Sequence, residues 1–227
     1  MSAGAATRAT APVEAVVFDY GGVLTTPVKH SIDAWLTADG IDPAGFSRTL
    51  KAWLSRTAAE GTPVHRLETG ELAVRDFEEL LAAELVTVDS RPLPAEGILN
   101  RLFAGMRVDP AMPALVAELR GLGIRVGLLS NSWGNTYPRA ELEALFDDIV
   151  ISGEVGLRKP NAEIYRLSLE RLGVAAERTV FVDDAAPNVD GARALGLGGV
   201  LHTGPAATRA ALAELVPGLA ATAPVRP

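Results

Sequence analysis

The sequence predicts a doubly wound α/β domain, a parallel sheet covered by helices on both faces, with a small helical lobe inserted after its first strand. Three observations carry this. From residue 108 onward, short apolar runs alternate with amphipathic helical segments, and repeated βα units of that kind build a parallel sheet buried on both faces. Ala15 to Phe18 is a further short apolar run and joins the same sheet. Between Thr26 and Arg107 the strand-like runs stop and helical apolar spacing takes over, as at Phe77, Leu80, Leu81 and Leu85.

In chain order, residues 1–12 are rich in Ala and Thr and lack an apolar leader core, so they read as a loose tail and not as a signal peptide. Residues 13–25 carry the first strand of the core. Helices are expected over Ser31 to Ala38, Pro43 to Thr57, Val74 to Leu85 and Ala95 to Met106, which makes residues 26–107 a separate lobe hinged at two crossings near Thr26 and Val108. His65, Arg66 and Glu68 fall in a polar loop of that lobe and are candidates for substrate recognition, although such residues more often line an ordinary solvated loop.

The core resumes over residues 108–217. Pro110 to Arg120 is helical, since prolines are tolerated in a first helical turn. Ile124 to Leu129 reads as strand, Pro138 to Phe146 as helix, Asp148 to Ser152 as a short strand and Ala162 to Leu172 as helix. Thr179 to Val182 follows as strand, Asn188 to Leu195 as helix, and Gly199 to His202 as a last strand before a helix at Ala206 to Leu215. Residues 218–227 form a C-terminal tail.

Composition narrows the function. The 227 residues are 48% hydrophobic, enough for one substantial core and a small second one. The formal charge is −7 with Lys and Arg scattered singly, which argues against a nucleic-acid partner or an anionic-membrane surface. The absence of cysteine excludes disulfides, thiolate nucleophiles and Cys-ligated zinc, and fits a cytoplasmic setting. No stretch approaches the roughly 18 apolar residues that a membrane-spanning helix requires. Oligomeric state is not legible.

In an open parallel sheet, ligands bind beyond the carboxyl ends of the strands. Asp19 follows the first strand, Ser130 and Asn131 follow Ile124 to Leu129, and Asp183 and Asp184 follow Thr179 to Val182, with Asn188 a turn later. Lys159 lies in the loop before the helix at Ala162. Each has an ordinary reading: a turn or cap acid, a turn Ser-Asn, a solvated loop lysine. Coincidence at one sheet edge lifts the chemical reading. Carboxylate oxygens suit Mg²⁺, a Ser hydroxyl and a Lys point charge suit phosphate oxygens, and a partly neutralised carboxylate can attack phosphorus. Together these parts spell phosphoryl transfer on a small phosphorylated substrate.

The chain resembles the haloacid dehalogenase (HAD) superfamily of hydrolases, in its phosphatase type. The resemblance rests on Phe18-Asp19-Tyr20-Gly21-Gly22-Val23-Leu24, then Leu128-Leu129-Ser130-Asn131, then Lys159-Pro160, then Phe181-Val182-Asp183-Asp184 with Asn188 and Gly191-Ala192. It implies that residues 26–107 form a small helical cap inserted after the first motif, that Asp19 is the nucleophile, that Ser130 and Lys159 clamp the phosphate with Asn131, Tyr20 and Gly21 beside the substrate, and that Asp19, Asp184 and the Gly21 carbonyl hold Mg²⁺. Asp183, a further candidate ligand, stands where relatives often have Gly. Asn188 stands where many have an acid and is expected to orient water or the metal shell.

One departure stands out. Relatives that are phosphatases usually carry a second Asp two residues after the nucleophile, as general acid and then base; here that position is Gly21. General acid–base help is typically worth about 10²–10⁴ in rate, so turnover is expected to be slow. Leaving groups that need little protonation are favoured, such as anomeric sugar phosphates, acyl phosphates or aryl phosphates. Tyr20 is not expected to fill the gap, because successive strand residues point to opposite faces. A 2-haloacid dehalogenase, whose relatives also lack the second Asp, is the nearest rival, but its metal-free chemistry leaves the Asp183-Asp184 pair without a purpose. A phospho-ligand-binding protein without turnover is the alternative outside enzymes.

Overall fold

A computed structural model describes residues 12–54, 61–134 and 137–223. Five strands form one parallel sheet: β1 (Ala15–Phe18), β2 (Arg125–Ser130), β3 (Asp148–Ile151), β4 (Thr179–Asp183) and β5 (Gly198–Leu201), in the order β3-β2-β1-β4-β5. β1 is central, pairing Val17 with Gly127 on one side and with Phe181 on the other. Its two-residue period divides the core. Val16 and Phe18 face one apolar layer together with Val126, Leu128, Val180 and Val182, whereas Ala15 and Val17 face the other together with Leu129 and Phe181.

The helices follow in chain order as α1 (Val28–Ala38), α2 (Pro43–Leu54), α3 (Pro63–Glu68), α4 (Val74–Glu84), α5 (Ile98–Phe103), α6 (Ala111–Gly121), α7 (Arg139–Leu145), α8 (Ser152–Val155), α9 (Ala162–Leu172), α10 (Ala186–Ala194) and α11 (Pro205–Ala213). Met112, Leu115 and Leu119 of α6, Leu142 of α7 and Leu212 of α11 cover the first layer. Ile164, Tyr165 and Leu172 of α9 with Ala192 of α10 cover the second. The second layer is tight: a Cβ on Gly127 would meet Leu172 Cδ1 at 2.9 Å, so the glycine lets α9 approach the sheet.

Helices α1 to α5 bury a third cluster of their own, including Trp35, Phe46, Phe77, Leu81, Ile98 and Leu102. The chain leaves and re-enters the sheet region at adjacent points. Thr25 and Val108 form an antiparallel bridge, Thr26 N donates to Arg107 O at 2.7 Å, and Asp109 N donates to Leu24 O at 2.9 Å. Side chains also cross between the two parts. Trp133, from the loop after β2, sits in the lobe's aromatic cluster with ring centroids 5.9 Å from Phe77 and 6.4 Å from Phe103.

The structure departs from the sequence reading at several points. His65, Arg66 and Glu68 lie not in a polar loop but in α3, which Pro63 opens and whose Thr62 Oγ1 accepts from His65 N at 3.3 Å. Six residues are too few to show a period, but the Thr-Pro start signal was there to be read. Glu68 is not solvated but 4% exposed. The helix expected over Ala95 to Met106 shrinks to α5, because Gly97 stands at its N-cap with φ of 70° in the left-handed region. Ser152 opens α8 instead of closing β3. Residues 55–57 of the second expected helix lie outside the described residues, as do residues 1–11 and 224–227 of the expected tails.

Candidate active site

The strands deliver the acids to one edge. Asp19 directly follows β1, Ser130 and Asp183 end β2 and β4, and Asp184 comes one residue further on. Lys159 arrives from the loop between α8 and α9, and Asn131 fixes that loop. Asn131 Oδ1 accepts from Lys159 N at 2.9 Å, and Asn131 Nδ2 donates to Lys159 O at 3.1 Å. The Asn131 side chain is thus spent on the lysine backbone, although it also lines the cavity described below.

Lys159 is 1% exposed. Its Nζ donates to Asp19 Oδ1 at 2.7 Å, to Asp183 Oδ2 at 2.7 Å and to Leu129 O at 2.9 Å, so all three ammonium protons are used. Burial by itself would favour the neutral amine; Asp183 and Asp19 outweigh it and hold Lys159 protonated, above the usual lysine range. The carboxylates feel the same burial with less compensation. Burial pushes Asp19 up to about 7, with Lys159 opposing and the charges of Asp183 and Asp184 reinforcing. Burial and then Asp183 push Asp184 up to about 6.

The acids differ in what they have left to offer. Asp183 is fully buried and engaged on both oxygens: Oδ1 accepts from Ala185 N at 2.8 Å and from Asn188 Nδ2 at 3.1 Å, and Oδ2 accepts from Lys159 and from Asn188 Nδ2 at 3.0 Å. Asn188 therefore meets the acid pair through Asp183. Among the described residues, Asp19 Oδ2 has no hydrogen-bonding partner, and Asp184 is exposed. One oxygen from each of Asp19, Asp183 and Asp184 falls within 4.8 Å of the others, and three carboxylates around one ammonium leave surplus negative charge. Such hard oxygen donors fit a divalent cation of the Mg²⁺ kind.

The two glycines after Asp19 are not equivalent. Gly22 has φ of +79°, and a Cβ there would lie 2.3 Å from Asp184 Oδ2. Gly21 has an ordinary backbone, and its Cβ would meet only Val28 Cγ2, at 3.4 Å. Tyr20, two residues beyond the end of β1, is buried in the same apolar layer as Phe18 and packs its ring 5.0 Å from that of Tyr137.

Beside Lys159 opens a cavity of about 910 Å³, walled on one side by Asn131, Lys159 and Asn188 and on the other by His65, Arg66 and Glu68 of the lobe. Glu68 closes the seam between them. Its carboxylate accepts from Arg158 Nε at 2.6 Å and from Trp133 Nε1 at 3.0 Å, and its backbone oxygen accepts from Ser152 Oγ. Trp133, Tyr137 and Arg158 were not singled out from the sequence. The first two lie in a loop without period, where side-chain direction is set by tertiary contacts; for Arg158, the adjacent Lys159 was the only signal.

A buried carboxylate held by a buried lysine, with a further exposed acid beside them, stands at the carboxyl edge of a doubly wound parallel sheet, an arrangement that suits a hydrolase. The chain belongs to the haloacid dehalogenase-like hydrolases, whose family model matches residues 13–196. It is 36% identical over 212 residues to a sesquiterpene phosphatase of Aspergillus oryzae, covering 89% of this chain and 96% of that one. It is 32% identical over 197 residues to a phosphatase of Mycobacterium tuberculosis, covering 82% and 85%. A HAD family enzyme from Bacteroides thetaiotaomicron, solved with magnesium and inorganic phosphate, shares the fold with a TM-score of 0.60 at 19% identity, over 83% of this chain and 93% of that one. Family and relatives together make the protein a hydrolase of the phosphatase type. None of the helices among the described residues is long and apolar enough to cross a membrane.

Proposed function

We propose that the protein is a Mg²⁺-dependent phosphatase of small phosphomonoesters, working through an aspartyl-phosphate on Asp19, with residues 26–107 as the cap over the site. The observation that carries this is the arrangement of Lys159 between Asp19 and Asp183, with an Asp184 oxygen within 4.8 Å of both acids. Asp19, Asp184 and the Gly21 carbonyl would hold the cation, which when bound neutralises charge on the cluster and on phosphoryl oxygens. Asp183 acts one step back, orienting Lys159.

Lys159 holds Asp19 Oδ1, which leaves Oδ2 to attack phosphorus while Ser130 and Lys159 bind the phosphoryl oxygens. The bond from phosphorus to the leaving oxygen breaks, and that oxygen takes its proton from water, since Gly21 offers none. A second water then attacks phosphorus, gives its proton to the hydroxide left by the first, and breaks the bond from phosphorus to Asp19, which releases phosphate and the free carboxylate. Substrates whose leaving oxygen is already a weak base lose least from the missing acid, which supports anomeric sugar, acyl or aryl phosphates over simple alkyl phosphates. Release of Asp19 lacks its usual base too, so a burst of the first product is expected in rapid-quench kinetics.

The test is a phosphomonoester panel with and without Mg²⁺, run beside Asp19→Asn, with chloride release from 2-haloacids followed in parallel. Phosphate release that needs Mg²⁺ and vanishes in Asp19→Asn is expected. Metal-independent chloride release, or undiminished turnover in Asp19→Asn, would refute the proposal.

A further inference from the structure

Tyr137 lies between β2 and α7, in the loop that follows Ser130, and its hydroxyl stands 3.0 Å from Ser130 Oγ. The ring is anchored on buried Tyr20, at 5.0 Å between centroids and 57° between planes. Burial raises the phenol above its ordinary range, against the hydrogen bond with Ser130, so Tyr137 remains a neutral O–H donor at neutral pH. Nothing in the steps above uses this group.

Ser130 is 2% exposed and carries one proton. Were Ser130 to donate to Tyr137, it would present only lone pairs to an anionic phosphoryl oxygen and repel it. With the direction reversed, Tyr137 gives its proton to Ser130 Oγ and the serine proton is left for the phosphate. A hydroxyl that accepts such a bond is also polarised into a stronger donor. We infer that Tyr137 is a positioning residue: it donates to Ser130 Oγ and so fixes the Ser130 proton on a non-bridging phosphoryl oxygen, whose charge it helps to bear whatever the leaving group. The inference rests on Ser130 being a phosphate ligand.

Tyr137→Phe keeps the ring on Tyr20 and removes only the hydroxyl. One hydrogen bond's worth of orientation predicts a loss of about 5- to 10-fold in kcat/KM, the same for aryl and alkyl phosphates, with weaker vanadate binding by a similar factor. In a Ser130→Ala background, Tyr137→Phe is expected to cost nothing further. Equal losses in both backgrounds would overturn the inference, as would a loss that grows with the basicity of the leaving group, which would make Tyr137 a proton donor to it. Full activity in Ser130→Ala would overturn the phosphate-ligand reading, and the inference with it; impaired Ser130→Ala with unimpaired Tyr137→Phe overturns the inference alone. Should Tyr137→Phe misfold, 3-fluorotyrosine at position 137 keeps ring and hydroxyl while strengthening the donor. Tighter vanadate binding is then expected, and unchanged or weaker binding would refute the role.

Discussion

Gly21→Asp restores the side chain that HAD phosphatases use as acid and base, and the backbone here can take it. A Cβ at position 21 meets a single methyl, Val28 Cγ2, at 3.4 Å, an ordinary contact, and the residue does not need a left-handed φ. General acid–base help is worth about 10²–10⁴ in rate, or roughly 3 to 5 kcal/mol of barrier, and it is felt where the leaving oxygen is a strong base. With saturating Mg²⁺, kcat/KM for an alkyl phosphate is expected to rise by about 10²-fold or more, while p-nitrophenyl phosphate, whose leaving group needs no proton, gains less than about 10-fold. The new carboxyl also adds a fourth acid beside Asp19, Asp183 and Asp184, where the ammonium of Lys159 has no proton left to share. Thermal stability without metal should therefore fall, and Mg²⁺ should restore it. An unchanged alkyl-phosphate rate in a folded, Mg²⁺-responsive variant would show that some other group already protonates the leaving oxygen.

Gly22→Ala should act oppositely, because its Cβ would lie 2.3 Å from Asp184 Oδ2 at a φ of +79°; the Mg²⁺ concentration for half-maximal activity is expected to rise, and an unchanged Mg²⁺ titration would contradict the placement of Asp184. Lys159→Met strips the cation from two buried carboxylates, so a loss of about 3–5 kcal/mol in stability is expected in denaturant melts without metal, together with loss of turnover. Glu68→Ala removes the partner of Arg158 and of the Trp133 indole, and unfolding by denaturant should register about 1.5–3 kcal/mol; a change below about 0.5 kcal/mol would place this seam among ordinary surface contacts.

The parallel sheet was legible because a strand buried on both faces must be apolar throughout, and Val16, Val17, Val180 and Val182 spell that out. Asp19, Ser130 and the Asp183-Asp184 pair could be placed because the carboxyl ends of adjacent strands lie side by side; Lys159, in the loop before α9, was legible only from its Lys-Pro motif. Interior hydrogen bonding was not legible. Nothing in the chain says that Asn131 spends both ends of its amide on the Lys159 backbone, or that Asn188 reaches Asp183. The burial of Glu68 is hidden for a related reason: a single acid in a polar stretch looks solvated until its partners, Trp133 and Arg158, arrive from far along the chain.

The indole of Trp133 is rooted three residues past Ser130 yet wedged between Phe77 and Phe103. Any outward swing of residues 26–107 must either withdraw that wedge or drag the segment that begins at the serine. Under the proposed function, admitting a substrate and assembling its anion grip would be a single mechanical event, one that the emission of Trp133 would report in a variant lacking Trp35 and Trp53.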